Sequence, residues 1–301
     1  MEQIIELSKK KKNIRSLKRR TPYLFLAPFV IFFLVFMIYP IIYALVISFS
    51  KWQNGGFQFA GLFQYNNLIG DSVFWQSLGN VLIILVIQVP IMLILASIFA
   101  ALLNSKRLKF KSLFQLGFFL PLLIDSVAYS LTFSFIFADN GLVNDLLGVV
   151  GIHHIEWLLN PFWAKIAIIV AVTWHWTGYN IVILLGGLQS IPDEVYEAAK
   201  MDGATSIRQW VSITLPMLRP LLILESILSI IGTIQLFTEP FIITGGGPGN
   251  STLSPVLYLY NVGFQQFNFS YASAIAYALA IIIAIFSFLQ FRFTKGGEVD
   301  A

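Results

Sequence analysis

Few polar residues interrupt this chain, and those that do are of kinds that bind rather than react. The run TWHWTGYN, residues 173–180, brings Trp176, Tyr179 and Asn180 within about one helical turn of one another. Flat aromatic faces beside a fixed amide and hydroxyl suit a ligand with both apolar faces and polar edges. Gln235, Thr238 and Glu239 offer further polar contacts from a later segment. Three carboxylates, Asp125, Glu225 and Glu239, fall inside apolar stretches, where a charge is costly and needs an explanation. Glu225 is expected to reach solvent or pair with Arg219. Asp125, after Pro121, is expected at a kink facing an aqueous cavity or a partner subunit. Glu239, beside Pro240 and just before a glycine-rich run, is the candidate for function.

Reactive chemistry finds little support. The chain has no cysteine, which removes disulfides, thiolate metal sites and thiol nucleophiles. His153, His154 and Glu156 lack the spacing of a zinc protease and have no further ligand nearby, so no metal site is expected. His175, between Trp174 and Trp176, reads as a hydrogen-bonding residue in helix packing. The run GGGPGNST at residues 245–252 imitates a phosphate loop but has Asn250 roughly where the lysine belongs. Gly245, Gly246, Gly247 and Pro248 predict instead an irregular turn, which at membrane depth is tolerated only beside protein or a water-filled path. With no paired nucleophile and base, an enzyme is not expected, nor is a cofactor.

The elements that position these residues follow from composition. Of 301 residues, 57% are hydrophobic and 11% charged, with a mean hydropathy of +0.78. A soluble globule averages about 25% charged residues, so this composition excludes one. Apolar stretches over residues 22–49, 75–103, 113–137, 163–188, 220–243 and 271–291 are long enough to cross a bilayer, and they predict an all-α polytopic membrane protein of six spans. Pro28, Pro40, Pro90 and Pro121 are expected as tolerated kinks. Lysines and arginines crowd before the first span (Lys9 to Arg20), in the second loop (Lys106, Arg107, Lys109, Lys111), in the fourth loop (Lys200, Arg208, Arg219) and in the tail (Arg292, Lys295), leaving Lys51 and Lys165 opposite. That asymmetry places both termini and those loops in the cytoplasm. The basic N-terminus therefore flanks an uncleaved anchor and is not a nucleic-acid arm, since the apolar run after it far exceeds a signal peptide's. Segment 1–21 is expected as a cytoplasmic N-terminus, 22–291 as the transmembrane domain and 292–301 as a tail, with no appended soluble domain and no internal repeat.

The loop of residues 190–219 carries the strongest local signal. SIPDEVYEAAKMDGATSIRQWVSITLPMLRP, residues 190–220, reads as two short helices joined by a turn. Ser190 is expected to cap the first, with Pro192 in its first turn and Asp193 and Glu194 complementing its dipole. Gly203 is a left-handed stop, Ser206 and Gln209 form a second capping box, and Pro216 and Pro220 close the segment. Val195, Ala198, Ala199 and Met201 give a small, partly apolar surface suited to a groove on another protein, with Glu197 as a charge for registration.

The stretch EAAKMDGATSIRQWVSITLP resembles the signature of membrane subunits of ABC-type importers, carried by Glu197, Ala198, Ala199, Asp202, Gly203, Ile213, Leu215 and Pro216. Trp210 departs from that pattern, which usually has Phe there. The likeness extends over APFVIFFLVFMIYPIIYALVISF, FADNGLVNDLLGVVGIHHIEWLLNPFWA and QLFTEPFIITGGGPGNSTLSPVLYLYNVGF, and is closest in style to carbohydrate permeases of the maltose and glycerol-phosphate type, without the large extracellular insertion of some of them. The resemblance implies a type I importer permease fold in a prokaryotic cytoplasmic membrane. It implies a heterodimer with a second homologous permease, two ABC ATPase subunits docked on the Glu197 helix, and an extracytoplasmic solute-binding protein that delivers a sugar, expected to be an oligosaccharide. Trp176, Tyr179, Asn180, Gln235, Thr238 and Glu239 would then line the substrate path, and the 245–248 loop would border it and the docked binding protein. The rival reading is an ion-gradient-driven secondary carrier working without an ATPase.

Overall fold

The computed structural model describes Tyr23, residues 25–105 and residues 108–293. The basic segment 1–21, Lys106, Arg107 and Lys295 lie outside them. Helix α1 (Phe25–Ser48) is apolar on nearly all sides and almost wholly exposed, as a helix with lipid for solvent can be. A wide turn at Leu34–Ile38 precedes Pro40, which takes up the hydrogen bond that proline cannot make. A small strand pair then joins the helical frame: β1 (Ser50–Gln53) and β2 (Gly56–Phe59) form an antiparallel hairpin, with Trp52 opposite Phe57. Asn54 and Gly55 both have positive φ, 51° and 80°, the conformation that a two-residue hairpin turn requires.

After the short helix α2 (Phe63–Ile69), Asp71 caps α3 (Ser72–Asn104), its Oδ1 accepting from the backbone N–H groups of Val73 and Phe74 at 2.9 and 3.3 Å. Tyr258 and Tyr271 both donate to its other oxygen, so this carboxylate ties the start of α3 to the last third of the chain. The expected third span is two pieces. Helix α4 (Lys111–Phe119) runs into a tight turn through Leu123, and α5 (Ser126–Ile136) leaves at 97° to it. Ile124 and Asp125 are extended, and Asp125 accepts from the Val127 N–H to start α5, so the break is a stop and a new cap rather than a bent helix.

Beyond α6 (Leu142–Val149), Asn160 caps α7 (Pro161–Gln189) through the N–H groups of Phe162 and Trp163. Helices α3 and α7 form the centre of the molecule. Ala96 and Ala100 of α3, and Ala164, Ala167 and Ala171 of α7, are completely buried, the small side chains that let helix backbones approach in a membrane. Gly178 shows how tight this becomes: a Cβ there would lie 1.8 Å from the Phe118 carbonyl oxygen of α4.

Helices α8 (Asp193–Met201) and α9 (Ser206–Met217) form an elbow, followed by α10 (Arg219–Ile234), which is bent 70° from α9. The expected fifth span, 220–243, is broken: α10 ends at Ile234, Gln235–Phe237 are not helical, and a helical turn resumes at Thr238 and widens at Pro240–Thr244. Helices α11 (Pro255–Tyr260) and α12 (Phe269–Phe293) complete the chain. Among the described residues, α1, α3, α7 and α12 are each long and apolar enough to cross a membrane; counting each bent pair as one span gives six.

Candidate functional site

All six residues expected on a substrate path face one cavity of about 320 Å³. Trp176, Tyr179 and Asn180 come from the middle of α7, where a single turn places them on one wall. Gln235 comes from the non-helical break Gln235–Phe237 after α10, and Thr238 and Glu239 from the helical turn that follows it. That break fits the rule that non-helical backbone at membrane depth lines a cavity or lies within protein. The Trp176 and Tyr179 rings meet edge to face at 6.1 Å. Asn180 is buried and donates to the Trp176 carbonyl at 2.9 Å.

The cavity also recruits residues that were not expected on the path. Gln88 and Met92 of α3 line it, as do Glu225 and Thr233 of α10. Thr233 donates to Gln88 Oε1 at 3.2 Å, and Gln88 and Asn180 both direct an amide N–H at the Met92 sulfur. The available signal was Gln88 itself, a polar side chain in an apolar run two residues before Pro90. Glu239 is buried, and Tyr129 of α5 donates to its Oε1. Tyr129 is itself clamped by His175, whose ring stacks on it at 4.2 Å. His175 thus packs through its ring and is hydrogen-bonded to the Pro121 backbone, in keeping with the expected helix-packing bond, while its Nδ1 has no partner.

Three other expectations are corrected. Glu225 neither reaches solvent nor pairs with Arg219: it is 1% exposed and both its oxygens lack a partner, because its side chain points inward from α10 to the cavity. Ser190 does not cap α8. It ends α7, donating to the Gly187 carbonyl at 2.7 Å, while Pro192 occupies the cap position of α8. The second cap shifts by one residue, from Ser206 to Thr205, whose Oγ1 accepts from the Arg208 N–H at 3.4 Å.

The glycine run folds as an irregular turn, with Gly245, Gly246 and Gly249 at positive φ and the Gly247–Pro248 peptide bond cis. It is pinned to α3: Asn80 donates to the carbonyls of Asn250 and Leu253 at 2.6 and 3.1 Å, and Gln76 donates to the Gly249 carbonyl at 3.1 Å. None of Gly245, Gly246, Gly247 and Pro248 lines the cavity. Among the described residues no group of three or more potential metal ligands occurs; His154 lies 3.4 Å from Asp139.

The elbow stands apart from the cavity at the other end of α7. Gly203 has φ +76° with open space where a Cβ would be, so only its backbone conformation demands glycine. Tyr196 and Thr214 join α8 to α9 through their hydroxyls at 3.0 Å, and Gln209 donates to the Ala204 carbonyl at 3.0 Å. Beneath them Ile191 and Leu218 belong to the core that α3 and α7 share. Glu197, Ala198, Asp202 and Gly203 are exposed, as are Pro216 and Met217; Ala199, Ile213 and Leu215 are half-buried. Met201 and Ile207 are 89% and 77% exposed, an apolar surface presented by a firmly anchored mount. Trp210 is half-buried, with its indole N–H unpartnered.

Comparison with known proteins places this arrangement. Residues 72–295 match the family described as the binding-protein-dependent transport system inner membrane component. The lactose transport system permease protein LacF of Rhizobium radiobacter is 44% identical over 274 residues, covering 89% of this chain and 92% of that protein. The arabinooligosaccharides transport system permease protein AraP of Bacillus subtilis is 36% identical over 281 residues, covering 91% and 88%. The fold matches a crystal structure of a bacterial ABC transporter involved in the import of the acidic polysaccharide alginate, with a TM-score of 0.82 and 21% identity over 96% of this chain and 100% of that one.

Proposed function

The chain belongs to the binding-protein-dependent transport system inner membrane components, and from that premise we propose that it forms, with a second homologous permease, the translocation path for an oligosaccharide in an ATP-driven importer. The observation that carries the reading is the joint presence of a polar-and-aromatic cavity at mid-span and an exposed elbow mounted on the same helix, α7. The permease contributes no bond-breaking chemistry. Its cavity supplies aromatic faces from Trp176 and Tyr179 for the C–H surfaces of a sugar ring. Asn180, Gln235, Thr238 and Glu239 supply hydrogen-bonding groups for its hydroxyls. The relatives named for lactose and arabinooligosaccharides support a saccharide as cargo.

Energy enters through the elbow. Glu197, Ala198, Ala199, Asp202 and Gly203 form the face offered to an ATPase subunit, and Ile213, Leu215 and Pro216 fasten the second arm. Two such ATPases, one on each permease, would close on ATP and move the spans as rigid bodies. In this reading both termini and the elbow face the cytoplasm, and an extracytoplasmic solute-binding protein docks at the opposite end, by the glycine loop. Gly203→Pro cannot adopt φ +76°, and Glu197→Lys reverses the registering charge. Both variants should insert normally and abolish ATP-dependent uptake by the reconstituted complex. Full uptake by both, or uptake that collapses with an ion gradient and continues without any ATPase, refutes the proposal.

A further inference from the structure

Asn180 and Thr233, on the cavity wall, are held by other groups of the same wall. Asn180 donates to the Trp176 carbonyl at 2.9 Å, and Thr233 donates to Gln88 Oε1 at 3.2 Å. Glu239 is held from outside it. The donor to its Oε1 is the hydroxyl of Tyr129, 110 positions away in the chain. Tyr129 is 1% exposed and does not line the cavity, so an occupant would meet Glu239 and never the residue that fixes it.

That donor is aimed by a series of local causes. Asp125 accepts from the Val127 N–H to start α5, and the Tyr129 N–H bonds the Asp125 carbonyl at 3.1 Å in the first turn. The Tyr129 ring then lies against α7, stacked on His175 at 4.2 Å and 19°, with the rings of Trp174 and Phe133 each at 6.3 Å. A ring held on several sides leaves its hydroxyl one direction, toward Glu239. Glu239 starts from a less regular base, the helical turn that resumes after the break at Gln235–Phe237, and its long side chain has much rotamer freedom to lose on being ordered. The anchoring does not depend on charge: a phenol hydroxyl donates to a carboxylate or to the carbonyl oxygen of a neutral carboxyl group.

We propose that Tyr129 is a positioning residue for cargo binding: by holding one oxygen of Glu239 it makes the carboxyl group present the other to a saccharide hydroxyl in a fixed direction. This rests on the cavity being the translocation path. The gain is one of preorganisation, since a cargo that finds Glu239 already ordered does not bear the cost of ordering it. For one side chain of this length that cost corresponds to about three- to tenfold in affinity.

The test uses the complete permease–ATPase complex in lipid nanodiscs, without binding protein and without ATP, and measures equilibrium binding of tritiated lactose, maltose and arabinobiose. Tyr129→Phe removes the donor and keeps the stacked ring. It is placed in three backgrounds: the unaltered chain; Glu239→Gln, whose amide oxygen still accepts from Tyr129; and Glu239→Ala, which leaves nothing to position. For a disaccharide that the unaltered complex binds saturably, Tyr129→Phe should weaken binding about three- to tenfold in the first two backgrounds and less than twofold in the third. A hydroxyl that served packing alone would act by the same factor in all three, and that result overturns the proposal. So does unchanged or tighter binding by Tyr129→Phe in the unaltered chain, or failure of that variant to copurify with its ATPase. Each of these strikes the positioning role and leaves the translocation path standing. Absence of saturable binding of all three sugars by the unaltered complex strikes the path itself, and the proposal with it.

Discussion

Adding one methyl group at Gly178 should do more damage than its size suggests. The new Cβ would sit 1.8 Å from the Phe118 carbonyl oxygen and 2.8 Å from its carbon. Ordinary contact begins near 3.4 Å, so α4 and α7 would have to separate locally by about 1.6 Å. The obstacle is backbone, and no rotamer change relieves it. Overpacking costs about 1–3 kcal/mol where side chains can yield, and this site belongs at the upper end, about 3 kcal/mol. Gly186, eight residues along the same helix, meets nothing within 4 Å. Gly186→Ala should therefore gain helix propensity of about 0.8–1 kcal/mol, and the two substitutions should differ by about 4 kcal/mol. At about 2–4 °C per kcal/mol for a chain of this order, Gly178→Ala should melt about 6–12 °C below the unaltered chain, followed as loss of the monodisperse peak on heating in detergent. Trp176, Tyr179 and Asn180 flank Gly178, so saccharide binding should fall with it. Melting of Gly178→Ala at or above that of Gly186→Ala would refute the close approach of α4 and α7.

Asp71 should make stability depend on pH. Burial acts to raise its carboxyl, but hydrogen bonds from Tyr258, Tyr271 and the Phe74 and Val73 N–H groups outweigh it and hold the group below its ordinary 3.8. A carboxylate depressed in the folded state contributes stability that is present above pH 3.8 and lost as pH falls through the folded value. Asp71→Asn keeps a capping oxygen but loses the charged acceptor of Tyr258 and Tyr271, and should therefore be less stable by about 1 kcal/mol at pH 7, with a gap that closes on acidification below 3.8 in pH-dependent melting; a constant gap would contradict the sign. Asn144 is a buried hub that donates to the Asp139 and Ile155 carbonyls and accepts from the Ile155 N–H and the Trp157 indole. Asn144→Ala leaves those two donors unpaired at about 1–3 kcal/mol each, and amide exchange over residues 139–160 should accelerate without change elsewhere.

What the sequence disclosed and what it hid divide along physical lines. Gly203 and the acidic residues Asp193 and Glu194 announced the elbow, because a left-handed stop and a charged first turn are local properties. Trp176 and Asn180 were legible as one wall for the same reason, since helical spacing fixes which residues share a face. The Asn54-Gly55 hairpin was equally local and was overlooked beneath the membrane pattern. The break at Ile124–Asp125 was less accessible: Pro121 signals a kink, but whether a helix bends or restarts depends on the Asp125 side chain reaching the Val127 N–H. Glu225 was misread because its sequence distance to Arg219 suggested a partner, while the orientation of α10 about its axis decides which way the carboxylate points. Gln88 and Met92 could be assigned to the cavity, and Tyr129 to Glu239, only once α3, α5 and α10 were packed around α7.

Helix α7 has no proline after its first residue and runs unbroken from the cavity to the elbow. Gly187 near its end is locked, since a Cβ there would collide with Leu221 of α10. The shaft from Asn180 to Gln189 is about 14 Å long, with no joint along it to absorb motion. A torque that tilts the elbow by about 10° therefore sweeps the cavity wall sideways by about 2 Å at Asn180, roughly a hydrogen-bond length. On the transport function proposed above, grip on a cargo and thrust from the elbow would be two ends of one stiff crank, and a substitution that softened the shaft would uncouple them while leaving both ends intact.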